Sequence, residues 1–411
     1  MYFWRMSVEK KSQVEFVALM AALMSIAALA LDALLPALDI IGLSVGITNP
    51  AQNQLLITLF FLGLGTGPLV FGPISDSIGR KPVVYMGFGL FIIASLICVY
   101  SQSFEGMITG RILQGIALSA PRTISIAMIR DLFNGNYMAR IMSFVTVVFI
   151  LVPIIAPAMG KWVLDLSGWK AIFHVQLFFS ILVCIWFWKR QAETLEVRNR
   201  VSFKGRVFIE GFKELINYRQ TMLFTLIWGF ITGSFLVYLS TSQQIFQEQY
   251  ALKESFPYIF AALAITIGTA TLLNGTLVLK FGMLRLVTIS TIAYAAVAST
   301  YVALFSNGEN PPFWILLLFC GLQFFAVGFI FGNLRALAME PVGHIAGIGA
   351  AITGFLATLM GVAISTFIGR YVEDSVLPMF IGFMVCGLMS LLVLSYFYFQ
   401  RNRAQRSFLS N

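Results

Sequence analysis

The sequence predicts an all-α membrane protein of twelve transmembrane helices arranged as two pseudo-symmetric six-helix halves. Three observations predict it. The 411 residues are 59% hydrophobic and 11% charged, with a mean hydropathy of +0.87, whereas soluble chains are about 25% charged and roughly 45–50% apolar. Twelve apolar runs reach the length of about 20 residues that a hydrocarbon core of about 30 Å requires. A polar stretch, Gln191 to Gln220, divides the runs six and six. Only helices and closed barrels satisfy their backbone in lipid, and these runs are too long for tilted strands. This composition excludes a disordered chain, a secreted disulfide scaffold and a nucleic-acid binder. Cys98, Cys184, Cys320 and Cys386 all fall inside apolar runs and read as free thiols.

The first run, 14–42, carries Asp32 and the tripeptide Ala28-Leu29-Ala30. The tripeptide mimics a signal-peptidase site, but the run is too long for a signal core, so it is expected to stay uncleaved. Runs 52–71 and 82–100 are joined by Gly72-Pro73-Ile74-Ser75-Asp76-Ser77-Ile78-Gly79-Arg80-Lys81-Pro82. There the glycines allow a tight turn, Asp76 is placed to cap the next helix, and Arg80 and Lys81 hold the loop inside. Run 106–129 carries Arg111, Gln114, Pro121 and Arg122, and run 141–164 carries Pro153, Pro157 and Gly160, which bend a helix. Run 171–189 closes the first half, 1–190. In the linker, 191–221, Phe208, Phe212, Leu215 and Ile216 share a helical face, which suits either an interfacial helix or a solvated tether with one amphipathic turn. The second half, 222–411, holds runs 222–247, 256–279, 284–305, 312–335, 345–368 and 376–399. Its loop KFGMLR repeats the Gly and Arg of GPISDSIGRKP in degraded form. Gly347, Gly354 and Gly361 recur every seven residues, as in a close helix–helix seam or a hinge.

Orientation follows from Lys and Arg. With the N-terminus inside, 21 of the 27 fall on inner segments and 4 on outer loops (Lys161, Lys170, Lys253, Arg370). That bias places both termini in the cytoplasm. The two remaining cations, Arg111 and Arg122, lie within a run. A charge at mid-bilayer costs at least about 2.5–3.5 kcal/mol, so it lines a cavity or has a partner. Asp32 is the one acid deep in a run. A rise of about 1.5 Å per residue sets it roughly 24 Å from the inner edge and Arg111 roughly 22 Å, so the two can pair. Either Asp32 takes and releases a proton that Arg111 tunes, or the two form a permanent ion pair locking helix 1 to helix 4. Arg122 is eleven residues beyond Arg111, within about 20° of the same face. It is an anchor for an anionic or carbonyl-rich ligand, a neutraliser of an acid, or a snorkelling cation. Asp39, seven residues after Asp32, shares its face near the outer end and reads as a solvated rim acid. Gln114, Tyr238, Asn274 and Asn333 are candidates for lining a cavity, or for packing and interhelical hydrogen bonds. No metal-ligand spacing, hydrolase elbow or nucleotide-binding Gly-rich loop occurs in the sequence.

The 72–82 segment resembles the loop 2–3 signature of the major facilitator superfamily, G-x-x-x-D-x-x-G-R-(R/K). Arg111-Ile112-Leu113-Gln114-Gly115 is similar to the R-x-x-Q-G of its proton-coupled members. Pro153, Pro157 and Gly160 resemble its antiporter motif. Leu31-Asp32-Ala33-Leu34-Leu35-Pro36-Ala37-Leu38, Ile129-Arg130-Asp131-Leu132-Phe133 and Ala338-Met339-Glu340-Pro341-Val342-Gly343-His344-Ile345-Ala346-Gly347 resemble the Bcr/CflA branch of bacterial drug:proton antiporters. The resemblance covers nearly the whole chain. It departs at Ala156-Pro157 and Lys161, where small residues are commoner, and at Arg122, which belongs to no signature; these departures leave the substrate open.

What the resemblance implies is the major facilitator fold in the bacterial inner membrane. It implies export of hydrophobic small molecules or antibiotics by alternating access, with the proton gradient as energy source and no cofactor. It also implies a charge relay among Asp76, Arg80 and Asp131, with Gly72, Gly79 and Arg130 in the same gate motif. By position these are rim pairs, worth little energy individually yet enough to bias two states a few kcal/mol apart. The expected partners are a small-molecule substrate, protons and the lipid bilayer, with the chain a monomer and not an enzyme. The alternative within transport is an exporter of one metabolite, such as a siderophore, sugar or amino-acid derivative, with Arg122 as anion anchor. A polytopic enzyme or sensor would need a catalytic cluster or a soluble domain, for which the polar stretches are too short.

Overall fold

The computed structural model describes residues 2–47, 49–133, 135–201 and 206–409. Among the described residues, twelve helices are long and apolar enough to cross a membrane, and every predicted run falls on one of them. By internal contacts the chain divides into two compact units. The first comprises residues 1–49 and 59–204, and the second residues 50–58 and 205–411.

In the first unit, α1 (Tyr2–Asp32) ends on Asp32 and is followed by a 3-10 turn, Leu35–Ala37, and a short α2 (Leu38–Ser44). Pro36 explains the break. It has no N–H to offer the Asp32 carbonyl four residues back, and its ring crowds that carbonyl. The same break corrects the phase reasoning for Asp39, which sits on α2 and not on a continuation of α1. The body of α3 (Leu55–Ile78), α4 (Arg80–Tyr100), α5 (Phe104–Leu132), α6 (Gly135–Ser167) and α7 (Trp169–Arg190) complete the unit. α5 is the most buried of these spans and α6 the least. Leu151, Ile155 and Trp162 of α6 are exposed. Pro121, Pro153 and Pro157 lie inside helices that continue through them.

The joint between α3 and α4 is shorter than the sequence suggests. Helix α3 runs through Gly72 and Asp76 to Ile78, and Gly79 alone breaks it, with φ +111°. Two expectations are corrected here. Gly72 is a helical residue with open space around it and no part in a turn. Asp76 belongs to the last turns of α3 and does not cap α4.

In the second unit, α8 (Arg206–Asn217) is the helix expected in the linker. Leu215 is buried, a Cβ at Gly211 would press on Ile348, and Phe212 and Ile216 are exposed. Lys204 and the side chain of Phe208 lie outside the described residues. The six spans follow: α9 (Arg219–Gln243), prolonged by a π-helical turn Gln244–Gln249, then α10 (Phe256–Phe281), α11 (Met283–Leu304), α12 (Phe313–Met339), α13 (Ala346–Gly369) and α14 (Leu377–Leu409). The first turn of α3 belongs to this unit, where Gln54 Nε2 donates to the Gly369 carbonyl (2.9 Å) and to Gln244 Oε1 (3.2 Å). The expected glycine seam narrows to one contact. Gly361 packs against Thr232 and Gly233 of α9, whereas Gly347 faces open space and Gly354 makes only a loose contact with Trp228. The four cysteines are unpaired.

Candidate functional site

Two clusters form in the first unit. The deeper one is centred on α5. Arg111 is almost fully buried, and its Nη1 donates to the Ala30 carbonyl (3.1 Å) and to Gln114 Oε1 (2.8 Å). Gln114 Nε2 in turn donates to Ser95 Oγ of α4 (2.8 Å). The guanidinium also stacks over Phe60 of α3 at 4.4 Å from the ring centroid, a contact worth up to about 2 kcal/mol when desolvated. One cation thereby fastens α1, α3, α4 and α5 together.

Asp32 is buried at the broken end of α1, two residues beyond the carbonyl that Arg111 holds. Among the described residues it forms no ion pair. The Asp32–Arg111 pairing that the depths allow is therefore not made; the arginine grips the backbone beside the acid. Gly160 of α6 holds the other flank of the break. A Cβ at 160 would collide with the Ala33 carbonyl, so only glycine lets the two backbones come this close. Gln114, a candidate cavity residue, has its amide engaged by Arg111 and Ser95. Arg122 lies half-buried further along α5.

The second cluster stands at the α3–α4 turn. Arg80 Nη1 donates to Asp76 Oδ1 and to Ser75 Oγ (2.8 Å), and its Nε and Nη2 fork onto Asp131 at 2.9 and 3.3 Å. The relay implied by the resemblance is thus assembled in this structure. It is not a set of rim pairs, however, because the Arg80 side chain is only 5% exposed. Truncating Asp131, the more buried acid, would leave the buried guanidinium with Asp76 as its one remaining carboxylate. Arg130 is exposed and takes no part.

Sequence reasoning missed two members of this cluster. Glu193 Oε1 accepts from the amide of Arg80 (3.0 Å) and Oε2 from that of Lys81 (3.0 Å). Thr194 Oγ1 donates to Asp131 Oδ2 at 3.0 Å. A signal was present: Gly79 precedes α4 without a side chain to cap it, so the first amides of that helix need an acceptor from elsewhere. The buried amides of Gln176 (α7) and Gln323 (α12) were missed as well. Neither has a hydrogen-bond partner among the described residues, and such groups mark places for bound water or ligand.

In the second unit, Tyr238 is buried in an aromatic cluster, stacked on Phe260 and edge-on to Phe324 at 4.4 Å. Asn274 and Asn333 hydrogen-bond each other across α10 and α12, at 2.7 Å in the closer direction. Among the described residues no group of His, Cys, Asp and Glu is placed to hold a metal.

Comparison with known proteins places the architecture. The sequence profile described as Major Facilitator Superfamily matches residues 18–365. The chain belongs to the major facilitator superfamily. This transporter is 26% identical, over 97% of its length and 99% of the relative's, to a bicyclomycin resistance protein homolog of Haemophilus influenzae. It is 29% identical, over 79% and 81% of the two chains, to an uncharacterized MFS-type transporter, YdgK, of Bacillus subtilis. It is 23% identical, over 84% and 86%, to the multidrug resistance protein MdtL of Citrobacter koseri. The likeness to the Bcr/CflA branch stands on such relatives. Among solved structures, a D-xylose-proton symporter superposes with a TM-score of 0.74 at 14% identity, covering 92% of this chain and 97% of the symporter. The human organic anion transporter MFSD10 (TETRAN) gives 0.67 at 16%, covering 93% and 99%. These two share the fold.

Proposed function

We propose that this multi-pass transporter exports hydrophobic small molecules in exchange for protons, by alternating access, as a monomer in the bacterial inner membrane with both termini in the cytoplasm. The observation that carries the coupling is Asp32. It is a buried carboxyl at a helix break, beside a backbone carbonyl held by Arg111, and it forms no ion pair among the described residues. A carboxyl fixed in a strong ion pair stays charged, whereas one left outside such a pair can exchange its proton as its surroundings change. The break supplies the means. The Ala33–Ala37 segment is not bound into a continuous helix, so small movements there alter what the carboxyl meets. The resistance-protein names of the relatives support a drug-like cargo. Phe- and Met-rich interiors adapt to many lipophilic shapes.

The test is Asp32→Asn in proteoliposomes, with a panel of lipophilic antibiotics as cargo. Export driven by an imposed pH gradient is expected to vanish, while the amount of folded protein and the binding of cargo remain. Gradient-driven export at the wild-type rate would remove Asp32 from coupling.

A further inference from the structure

We propose that Glu193 and Thr194, at the start of the linker, are positioning residues of the gate, holding Arg80 between Asp76 and Asp131. The inference rests on reading that charge cluster as a gate, and not on the identity of the cargo.

Three residues within a nine-residue stretch of linker, Glu193, Thr194 and Val201, touch each part of the cluster. Glu193 takes the first two amides of α4, those of Arg80 and Lys81, both at 3.0 Å. The same carboxylate is aimed by its own chain, because Oε1 also accepts from the amides of Thr194 (2.9 Å) and Leu195 (3.0 Å). Thr194 Oγ1 donates to Asp131 Oδ2, the oxygen that takes Arg80 Nε at 2.9 Å. Val201 closes the clasp by donating its amide to the Asp76 carbonyl at 2.9 Å. The start of α4, and with it the root of the Arg80 side chain, is thus fixed from one side by the linker. The far end of that side chain meets an aspartate that the linker also holds. A Cβ at Gly79 would sit 2.7 Å from Glu193 Oε2, so the glycine leaves room for the clasp as well as for the turn.

The clasp is not a general consequence of such a turn. In the second unit, Gly282 precedes α11 with a similar backbone, φ +78°, at the position matching Gly79. Among the described residues, no side chain accepts from the amides of Met283 or Leu284. A cavity of about 720 Å³ borders Gly282–Arg285 instead, with Arg401 and Asn402 on its wall. Among the described residues an anionic arm caps the turn in one half, whereas in the other Glu340 lines the cavity but accepts from neither amide.

The decisive variant is Thr194→Val in the full-length protein. It keeps the shape of the side chain and the Glu193 cap, and removes only the donor to Asp131. Reconstituted protein is expected to show a maximal transport rate lowered about threefold or more, with an unchanged half-saturation concentration. In an Asp131→Asn background the same change is expected to add nothing. Hydrogen exchange provides a cargo-free reading: Thr194→Val and Glu193→Gln should each speed exchange across residues 76–82, by about fivefold for the lost cap. Poor recovery of Glu193→Gln leaves Thr194→Val to decide. Wild-type rate and exchange in Thr194→Val, or an effect that multiplies independently with Asp131→Asn, would overturn the proposal. Failure of Asp32→Asn to change coupling leaves the exchange result standing, so the two readings fail separately.

Discussion

Arg111 shows how much of a bundle one buried side chain can organise. Its guanidinium offers donors in a rigid fork, and here they reach the Ala30 carbonyl and Gln114 while its face rests on Phe60. Removing it leaves those acceptors buried, at about 1–3 kcal/mol each. It also moves the nearest part of α1, on which Asp32 stands. Arg111→Ala is therefore expected to shift the pH profile of substrate binding, measured from acid to alkaline pH on purified protein, and to lower thermal stability. A loss of stability with an unmoved profile would make Arg111 a fastener alone. Asp32 was legible as the coupling candidate because no other acid lies deep in a run. The grip of Arg111 on backbone and not on that acid was not legible, because a donor's choice among acceptors is a matter of ångströms.

At the scale of elements, the break after Asp32 and the lone-glycine turn after Ile78 carry the design. Pro36 is a signal for the first, yet 14–42 reads as one run with Asp39 phased on it. The second is expected as a joining segment over 72–82 in which the glycines allow a tight turn; helix α3 continues through Gly72 and Pro73. Gly160 joins the elements, its missing side chain admitting the Ala33 carbonyl. Gly160→Ala is expected to cost about 1–3 kcal/mol through overpacking, seen as a lower Tm, and to reduce transport by displacing the segment next to Asp32. Wild-type behaviour would show that α6 can give way there. Glu193 acts at this scale too. Burial pushes its carboxyl up, but the amides of Leu195, Lys81, Arg80 and Thr194 outweigh that and hold it below the usual glutamate range. A carboxyl lowered on folding stabilises above its unfolded value and loses that contribution as pH falls through the lower folded value. The cap therefore persists at neutral and mildly acid pH, and the backbone amides of Arg80 and Lys81 keep an ionised acceptor there. A pH response of transport near neutrality must come from another group.

For the whole molecule, the strongest sequence signal beyond the number of spans is the distribution of positive charge. It is decisive because moving a cation across lipid during insertion is costly whatever the fold becomes. A reporter fused after Asn411 is expected to be reached by protease in inside-out vesicles and protected in right-side-out ones. The reverse pattern would invert the topology and, with it, the direction of the proposed proton exchange at Asp32. Residues proposed to line a cavity were less legible than spans. Gln114 is engaged within its bundle, and Asn274 and Asn333 hold each other. A polar residue in an apolar run must be satisfied, but the run does not say whether by a ligand or by a neighbour.

The sequence by itself determined the number of spans and the family, because hydrocarbon thickness and backbone hydrogen bonding leave an apolar run few alternatives. It also set out the charged residues of the Asp76–Arg80–Asp131 cluster, whose types and spacing are local. Tertiary structure alone decided that Arg80 is buried, that Arg111 holds backbone beside Asp32, and that Glu193, 113 residues on in the chain, caps the helix that Arg80 begins. Each of these depends on which side chain reaches an acceptor first in a packed interior, and that is settled by the approach of whole helices and not by any run of neighbours.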